Sequence, residues 1–295
     1  MKGAAMKETP ALLDAGPAAS HLVGVLCEPA TGGERGVLGA LLLNAGLVPR
    51  PGPARLYVDL ARRLAAAGVP SLRLDYAGVG DSPPRDDAVP FERASVEETR
   101  AAMDHLAAAA GCRDFLLIGV CSGALAAFQT AVEDERARSL VLVNPPGLQD
   151  SIPEAIAAEV DRTFAADYYT GVAAHRWRSW FKLLTGRANY RAIAAAVRRK
   201  LSGPASIPPP PAAAEVRGRI QALAERGVRA LHVYSRGDWG LGYLRWVLGA
   251  HEEALVASGM LRVEVLEGAD HLVTPVGPRA FLEELVEEWA CTARG

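Results

Sequence analysis

Apolar and polar positions follow two different periods along this chain. Short runs rich in Val, Leu and Ile predict β-strands near residues 21–26, 36–43, 70–75, 114–120, 138–143, 228–234 and 261–266. Longer Ala-, Leu- and Arg-rich segments with helical spacing predict α-helices at 54–67, 95–110, 123–134, 241–257 and 278–290. Buried strands that alternate with helices are typical of a parallel sheet covered on both faces. We therefore expect an α/β protein with a mostly parallel sheet flanked by helices.

The segment from 150 to 226 interrupts this alternation. It contains several helical stretches, no strand-like run and four consecutive prolines at 208–211. Its position between two sheet strands predicts a helical cap over the carboxyl edge of the sheet, although a helical subdomain at the side of the sheet would give the same pattern. We predict a flexible N-terminus of 1–19, a core of 20–149 and 227–295, and a cap of 150–226.

The composition is typical of a globular protein without an excess of charge. Half of the 295 residues are hydrophobic, 22% are charged, and the formal net charge is −2. Nucleic-acid binding requires a basic excess, so no nucleic-acid partner is expected. The first 19 residues lack the apolar stretch of a signal peptide, and no apolar run approaches the ~20 residues that span a bilayer. We expect a cytoplasmic protein that does not contact membranes.

The cysteines are spaced too irregularly for a metal cluster or a redox pair. They are Cys27, Cys112, Cys121 and Cys291. No two of them form a C-x-x-C motif, so we expect no metal site among them. In the cytoplasm such thiols stay reduced, which leaves a cysteine available as a nucleophile.

The clearest chemical motif surrounds Cys121. Residues 119–123 read G-V-C-S-G and lie where a buried strand passes into a helix. A nucleophile elbow of the G-x-S-x-G type requires tiny residues two positions before and after its nucleophile. Gly119 and Gly123 flank Cys121 in this way, whereas Ser122 would be flanked by a valine and an alanine. We predict Cys121 as the nucleophile; a structural cysteine, or an elbow that uses Ser122, are the alternatives.

A thiol nucleophile requires a base, and the base requires an acid that orients it. In elbow proteins of this type the acid follows the nucleophile in the chain and the histidine comes last. Asp238 follows the strand predicted near 228–234, and His271 follows the strand near 261–266. Both therefore lie where an open α/β sheet binds its ligands. We predict Asp238 as the acid and His271 as the base, with Asp270 as a competing acid.

The oxyanion hole of such a site is formed by two backbone N–H groups. One is expected from Ser122, directly after the nucleophile. The other is expected from the loop that follows the strand near 36–43, where Ala45, Gly46 and Leu47 are candidates. The sequence does not distinguish these three residues.

With its elbow, Asp238, His271 and the position of its cap, the chain resembles the α/β-hydrolase superfamily over nearly its whole length. Its G-x-C-S-G-A and N-A-G motifs and the segment R-L-Y-V-D-L-A-R-R-L-A resemble a narrower group of proteins with a cysteine nucleophile. That group includes the Dieckmann cyclases of tetramate and pyridone antibiotic biosynthesis, and dienelactone hydrolase also has a cysteine at this elbow. The resemblance implies an α/β-hydrolase fold with Cys121, Asp238 and His271 as its triad.

The narrower resemblance implies a reaction that forms a carbon–carbon bond. Cys121 would take an N-(β-ketoacyl)-aminoacyl group from the phosphopantetheine of an acyl or peptidyl carrier protein. The carbon between the two carbonyls would then close a ring on the thioester and release a tetramic acid. No cofactor is expected apart from the carrier's phosphopantetheine. The alternative is a cysteine-dependent hydrolase or thioesterase acting on an ester, lactone or acyl thioester; a noncatalytic binding protein is a third interpretation.

Two features of the predicted cap suit this substrate. The aromatic residues Tyr168, Tyr169, Trp177 and Trp180 are expected to bind its acyl chain in an apolar tunnel. The stretch 174–200 contains eight basic residues and no Asp or Glu. Such a surface would attract an acidic carrier protein, although a solvated helix face gives the same pattern.

Overall fold

The computed structural model describes residues 6–16, 21–30, 38–148 and 211–293. In these residues eight strands form one sheet in the order β1-β2-β4-β3-β5-β6-β7-β8. The strands are β1 (Met6–Leu13), β2 (Leu22–Pro29), β3 (Leu38–Leu43), β4 (Ser71–Leu74), β5 (Asp114–Val120), β6 (Ala137–Val143), β7 (Arg229–Ser235) and β8 (Leu261–Leu266). Strand β2 runs antiparallel to β1 and β4, and all neighbours from β4 to β8 are parallel. The sheet is therefore mostly parallel, as the sequence predicts.

Helices cover both faces of this sheet. The described helices are α1 (Leu56–Ala66), α2 (Phe91–Ala110), α3 (Ser122–Glu133), α4 (Pro211–Glu225), α5 (Gly240–Leu248), α6 (His251–Ala257) and α7 (Val276–Thr292), with a 3-10 turn at Pro53–Arg55. Alternate residues of β5 enter different apolar clusters: Phe115 and Leu117 pack with α2 to α5, and Leu116 and Ile118 pack with α1 and α7. Burial on both faces explains the continuous apolar runs of the central strands. None of the helices in the described ranges is long and apolar enough to cross a membrane.

The N-terminal segment differs from the sequence prediction. The sequence predicts a flexible terminus for 1–19, but β1 pairs antiparallel with β2 along its whole length. Most side chains of β1 are exposed, so no apolar alternation marks this strand in the sequence. Its backbone pairing is supported by Glu8, whose carboxylate forms ion pairs with Arg62 at 2.9 Å and Arg73 at 3.0 Å.

Two helical segments also differ from the prediction. The segment predicted as one helix at 241–257 divides at Gly249, whose φ of 53° ends α5 and is readily adopted by glycine. Helix α4 falls within the range predicted as cap, but its apolar face is buried in the core cluster that contains Phe115. Residues 211–225 therefore belong to the layer that flanks the sheet. The part of the predicted cap from 150 to 210 lies outside the described residues, and with it lie Tyr168, Tyr169, Trp177 and Trp180.

Candidate active site

Cys121 occupies the sharp turn between β5 and α3. Its backbone has φ 56° and ψ −123°. Such a positive φ costs a non-glycine residue about 1–3 kcal/mol, and strain of this kind is concentrated at functional sites. A Cβ on Gly119 would lie 2.1 Å from the carbonyl carbon of Gly123, and a Cβ on Gly123 would lie 2.5 Å from the carbonyl oxygen of Leu43. The turn can therefore form only with glycine at both positions, and Cys121 is its apex.

Tyr57 joins the ends of β3 and β5 beneath this turn. Its hydroxyl donates a hydrogen bond to the carbonyl oxygen of Leu43 at 2.7 Å and accepts one from the N–H of Val120 at 3.2 Å. Burial raises the pKa of Tyr57 far above its usual value, so the hydroxyl keeps its proton. Sequence reasoning missed this residue, because its place in α1 resembles that of any core aromatic.

His271 and Asp238 lie in the turns that follow β8 and β7. Nδ1 of His271 is 2.7 Å from Oδ2 of Asp238, whose side chain is 5% exposed. The other carboxylate oxygen of Asp238 accepts the N–H of Gly240 at 2.9 Å, which fixes the orientation of the carboxylate. A hydrogen bond at Nδ1 directs the remaining ring nitrogen, Nε2, to other partners.

The His271 side chain also forms a hydrogen bond with Cys121, so the three residues form a hydrogen-bonded series. The hydrogen bond from His271 lowers the pKa of the Cys121 thiol, although burial of the sulfur acts in the opposite direction. A hydrogen bond from the N–H of Ser122 lowers it further. Hydrogen bonds to Asp238 and to Cys121 raise the pKa of His271 to about 10. The two shifts favour a thiolate paired with an imidazolium.

Asp270, the competing acid, is engaged elsewhere. Its Oδ1 accepts the N–H of Thr274 at 2.8 Å, and its Oδ2 accepts the Thr274 hydroxyl. These hydrogen bonds lower the pKa of Asp270 and stabilise the turn after β8. In the structure the carboxylate that contacts the His271 ring is that of Asp238.

The loop after β3 faces the elbow through Gly46. The N–H of Gly46 donates to Oγ of Ser122 at 2.8 Å, and Gly46 has a φ of 57°. Of the three predicted loop donors, Gly46 is the residue whose N–H donates a hydrogen bond to the elbow in the described part of the structure. Ala45 is buried, and the side chain of Leu47 is 85% exposed.

Comparison with solved structures identifies the architecture that carries this site. A thermophilic esterase from Thermogutta terrifontis matches with a TM-score of 0.56 and 16% identity over 97% of this chain and 100% of that chain. An esterase from Pyrococcus furiosus matches with a TM-score of 0.56 and 13% identity over 97% and 92% of the two chains. Proline iminopeptidase from Mycobacterium smegmatis matches with a TM-score of 0.54 and 17% identity over 97% and 99%. The chain has the α/β-hydrolase fold.

The fold class predicted from the sequence is thereby confirmed. A family model described as "Serine aminopeptidase, S33" matches residues 52–173, which is less than half of this chain. The match includes the elbow but ends before Asp238 and His271. A comparison with curated protein sequences finds no match. At identities of 13–17% the likeness to solved structures shows the fold and does not extend to the reaction.

Asn144 links three loops at the carboxyl edge of this α/β-hydrolase sheet. Its Nδ2 donates to the carbonyl oxygen of His271 at 2.7 Å and to Oγ of Ser235 at 2.9 Å, and its Oδ1 accepts the N–H of Ser235 at 2.7 Å. Asn144 is buried and has a φ of 47°, which asparagine tolerates better than most residues. Sequence reasoning missed it. The available signal was a polar residue directly after an apolar strand and before two prolines.

Two further buried polar residues hold the loop that contains Gly46. Asn44 donates from Nδ2 to the carbonyl oxygen of Val48 at 2.9 Å and accepts the N–H of Tyr76 at 2.8 Å. The carboxylate of Asp75 accepts the N–H of Arg50 at 2.5 Å and also pairs with its guanidinium. Because both ends of the loop are fixed, the N–H of Gly46 keeps its direction toward the elbow.

Proposed function

We propose that this protein is a cysteine-dependent hydrolase that cleaves an ester, lactone or thioester through an acyl group on Cys121. The observation that carries the proposal is the hydrogen-bonded series from Asp238 through His271 to Cys121, which lowers the thiol pKa. A thiolate is the reactive form of cysteine, and a base oriented by an acid is what nucleophilic catalysis requires. Two of the structural neighbours are esterases, which supports an acyl substrate.

In the first half of the reaction the Cys121 thiolate attacks the carbonyl carbon of the substrate. The new S–C bond forms as the carbonyl electron pair moves to oxygen, and hydrogen-bond donors in the oxyanion hole stabilise that charge. When the carbonyl re-forms, the bond to the leaving oxygen or sulfur breaks. The leaving group takes the proton from Nε2 of His271 and departs as an alcohol or a thiol.

In the second half, water replaces the leaving group. Neutral His271 removes a proton from water while the water oxygen attacks the thioester carbonyl carbon. Collapse of this intermediate breaks the S–C bond and releases the carboxylic acid, and Cys121 returns to the thiolate. Asp238 stabilises the imidazolium in both halves and holds the ring in the required tautomer. The overall change is the addition of one water to one ester or thioester.

A second candidate is the Dieckmann cyclisation that the sequence motifs imply, and the thiol at the apex of the elbow favours it. A thioester on Cys121 stays electrophilic toward carbon, and thiolate is a good leaving group. His271 would remove a proton from the carbon between the two carbonyls of an N-(β-ketoacyl)-aminoacyl group. The carbanion would attack the thioester carbonyl, and Cys121 would depart as thiolate with release of a tetramic acid. An acyl or peptidyl carrier protein would supply this group from its phosphopantetheine.

One experiment tests both reactions. The full chain is incubated with two N-acetylcysteamine thioesters, one carrying a simple acyl chain and one an N-(β-ketoacyl)-aminoacyl group, and products are identified by mass spectrometry. We expect free acid from both and a transient acyl adduct on the peptide containing Cys121. Cys121→Ala and an enzyme-free sample are the controls, because the second substrate cyclises spontaneously in base.

The outcomes separate the candidates. A product one water lighter than the free acid, formed faster than in the enzyme-free sample, would establish cyclisation instead of hydrolysis. Turnover that persists unchanged in Cys121→Ala, or the lack of any adduct and any turnover, would refute acyl transfer at Cys121.

A further inference from the structure

We propose that the hydroxyl of Ser122, held by the N–H of Gly46, is a hydrogen-bond donor of the oxyanion hole. The inference rests on the proposed acyl transfer at Cys121 and adds a catalytic side chain to it. It replaces the expectation that the second donor is a backbone N–H of the loop after β3. In that expectation the side chain of Ser122 has no part in the reaction.

The first argument is that the N–H of Gly46 is already used. It lies 2.8 Å from Oγ of Ser122, within the usual range for a hydrogen bond to a hydroxyl oxygen. An N–H directed at this oxygen is not directed at a substrate oxygen. The loop cannot easily turn away, because Asn44 and Asp75 hold it from both ends.

The second argument concerns the proton of the Ser122 hydroxyl. A serine hydroxyl has one proton to donate and two lone pairs that accept. Accepting from Gly46 occupies a lone pair and leaves the proton free to donate. The Ser122 hydroxyl donates this proton to no protein acceptor in the part of the chain that the structure describes, residues 6–16, 21–30, 38–148 and 211–293. A hydroxyl that accepts one hydrogen bond is polarised and becomes a better donor.

The third argument is position. Ser122 follows Cys121 directly, and its backbone N–H already contacts the sulfur. The side chain of Ser122 is partly exposed, and a Cβ built on Gly46 would have no atom within 4 Å. Among the described residues, open space therefore adjoins Gly46, next to the Ser122 hydroxyl that its N–H contacts. As the carbonyl oxygen gains its electron pair, the hydroxyl donates a hydrogen bond to it and keeps its own proton.

The test compares acyl transfer in Ser122→Ala and Ser122→Thr. Removal of one oxyanion-hole donor lowers kcat by about 10²–10³-fold in enzymes of this kind. We expect a loss of about that size in Ser122→Ala with the simple acyl thioester, and a markedly smaller loss in Ser122→Thr, which retains a hydroxyl. If the N–H of Gly46 were the donor in catalysis, Ser122→Ala would release it, and activity would be unchanged or higher. That result would overturn the proposal.

Alkylation by iodoacetamide is the matched control, because it requires the Cys121 thiolate but forms no oxyanion. We expect Ser122→Ala to be alkylated at Cys121 at the wild-type rate. An equal loss in alkylation and in acyl transfer would mean that the hydroxyl acts on the thiolate or on the fold of the elbow, and would overturn the proposal. Failure of the proposed function appears differently, since wild-type protein would then form no acyl–Cys121 adduct at all.

Discussion

Gly119 and Gly123 face each other across the turn at Cys121. A Cβ on Gly119 would come within 2.1 Å of the carbonyl carbon of Gly123 and 2.2 Å of its oxygen. Real Cβ atoms do not approach backbone so closely, so the path of the chain from β5 into α3 requires both glycines. The same path gives Cys121 its φ of 56° and makes Ser122 the first residue of α3. This contact explains why the apex carries the thiol and not the neighbouring hydroxyl.

Gly119→Ala should therefore abolish acyl transfer and destabilise the protein. Overpacking against backbone costs about 1–3 kcal/mol and sometimes more, since neither β5 nor α3 can move freely. Gly218→Ala is the matched control, because Gly218 lies in α4 and a Cβ there would meet no atom within 4 Å. It should leave activity unchanged and raise stability by up to about 1 kcal/mol. Urea unfolding and kcat measure both effects; a stable and active Gly119→Ala would contradict the elbow assignment.

The pH dependence of alkylation should report the pairing of Cys121 with His271. Because this hydrogen bond lowers the thiol pKa, reaction with iodoacetamide should reach half its maximum below pH 9.0, the ordinary thiol value. The thiolate loses its cationic partner as the pH rises through about 10, where His271 releases its proton. His271→Ala should move the midpoint upward, because burial alone raises the pKa of a thiol.

The other three cysteines must not contribute to the alkylation that this experiment measures. Burial raises the pKa of Cys27 and of Cys112 to about 11, so they should react slowly below pH 9. Cys291 is exposed, and Cys291→Ser should be present in every variant. A midpoint for Cys121 at or above 9.0 in this background would show that no ion pair forms.

Asp238→Asn and Asp270→Asn form a matched pair that tests which carboxylate orients the base. Asp238→Asn should lower kcat by about 10²–10⁴-fold, because an amide cannot stabilise the imidazolium and favours the wrong tautomer of His271. Asp270→Asn should change kcat only a few-fold, since its hydrogen bonds serve the turn at Thr274. The measurement is steady-state turnover of one acyl thioester. The reverse order of losses would assign the acid role to Asp270.

Asn144→Asp should separate the hydrogen bond that this side chain accepts from the one that it donates to the loop of His271. The carboxylate can still accept the N–H of Ser235, but it cannot donate to the carbonyl oxygen of His271. We expect a loss of kcat of up to about 10²-fold from displacement of the catalytic ring. The free energy of unfolding should fall by about 1–3 kcal/mol, because residue 144 is buried and a carboxylate there loses the hydrogen bonds that the amide donates.

The pH dependence of the activity of Asn144→Asp relative to wild type checks whether the hydrogen bond donated by Asn144 supports turnover. A protonated carboxyl can donate again, so the deficit of Asn144→Asp should shrink as the pH falls toward the pKa of the buried Asp. A deficit that is independent of pH would mean that the donor to His271 has no effect on turnover.

Local patterns were sufficient to predict the central sheet and the elbow. The predicted strand at 114–120 coincides with β5, because a strand buried on both faces must be apolar along its length. The predicted strand at 261–266 coincides with β8, an edge strand in which apolar residues alternate with Arg262 and Glu264. The spacing of Gly119 and Gly123 around Cys121 indicated the turn, because the contact between the two glycines spans only five residues. Such contacts join residues that are close together in the sequence, and they depend on the residue types alone.

Strand β1 shows where local patterns fail. Its side chains are mostly exposed and it includes Pro10, so neither burial nor propensity marks it. It forms because β2 offers an unpaired edge and because Glu8 finds Arg62 and Arg73 on α1 and β4. The pairing depends on partners that only the folded sheet brings near.

The residues at the carboxyl edge of the sheet depended on tertiary structure in the same way. The sequence placed Asp238, Asp270 and His271 in loops after strands but could not orient their side chains, because orientation there is set by contacts between distant segments. Asn144 holds the carbonyl of His271, 127 positions along the chain, and Gly46 reaches Ser122, 76 positions away. A loop side chain has several rotamers of similar energy by itself. Only the packing of neighbouring loops selects one of them, so the sequence determined which chemical groups reach this edge and the tertiary structure decided which of them meet.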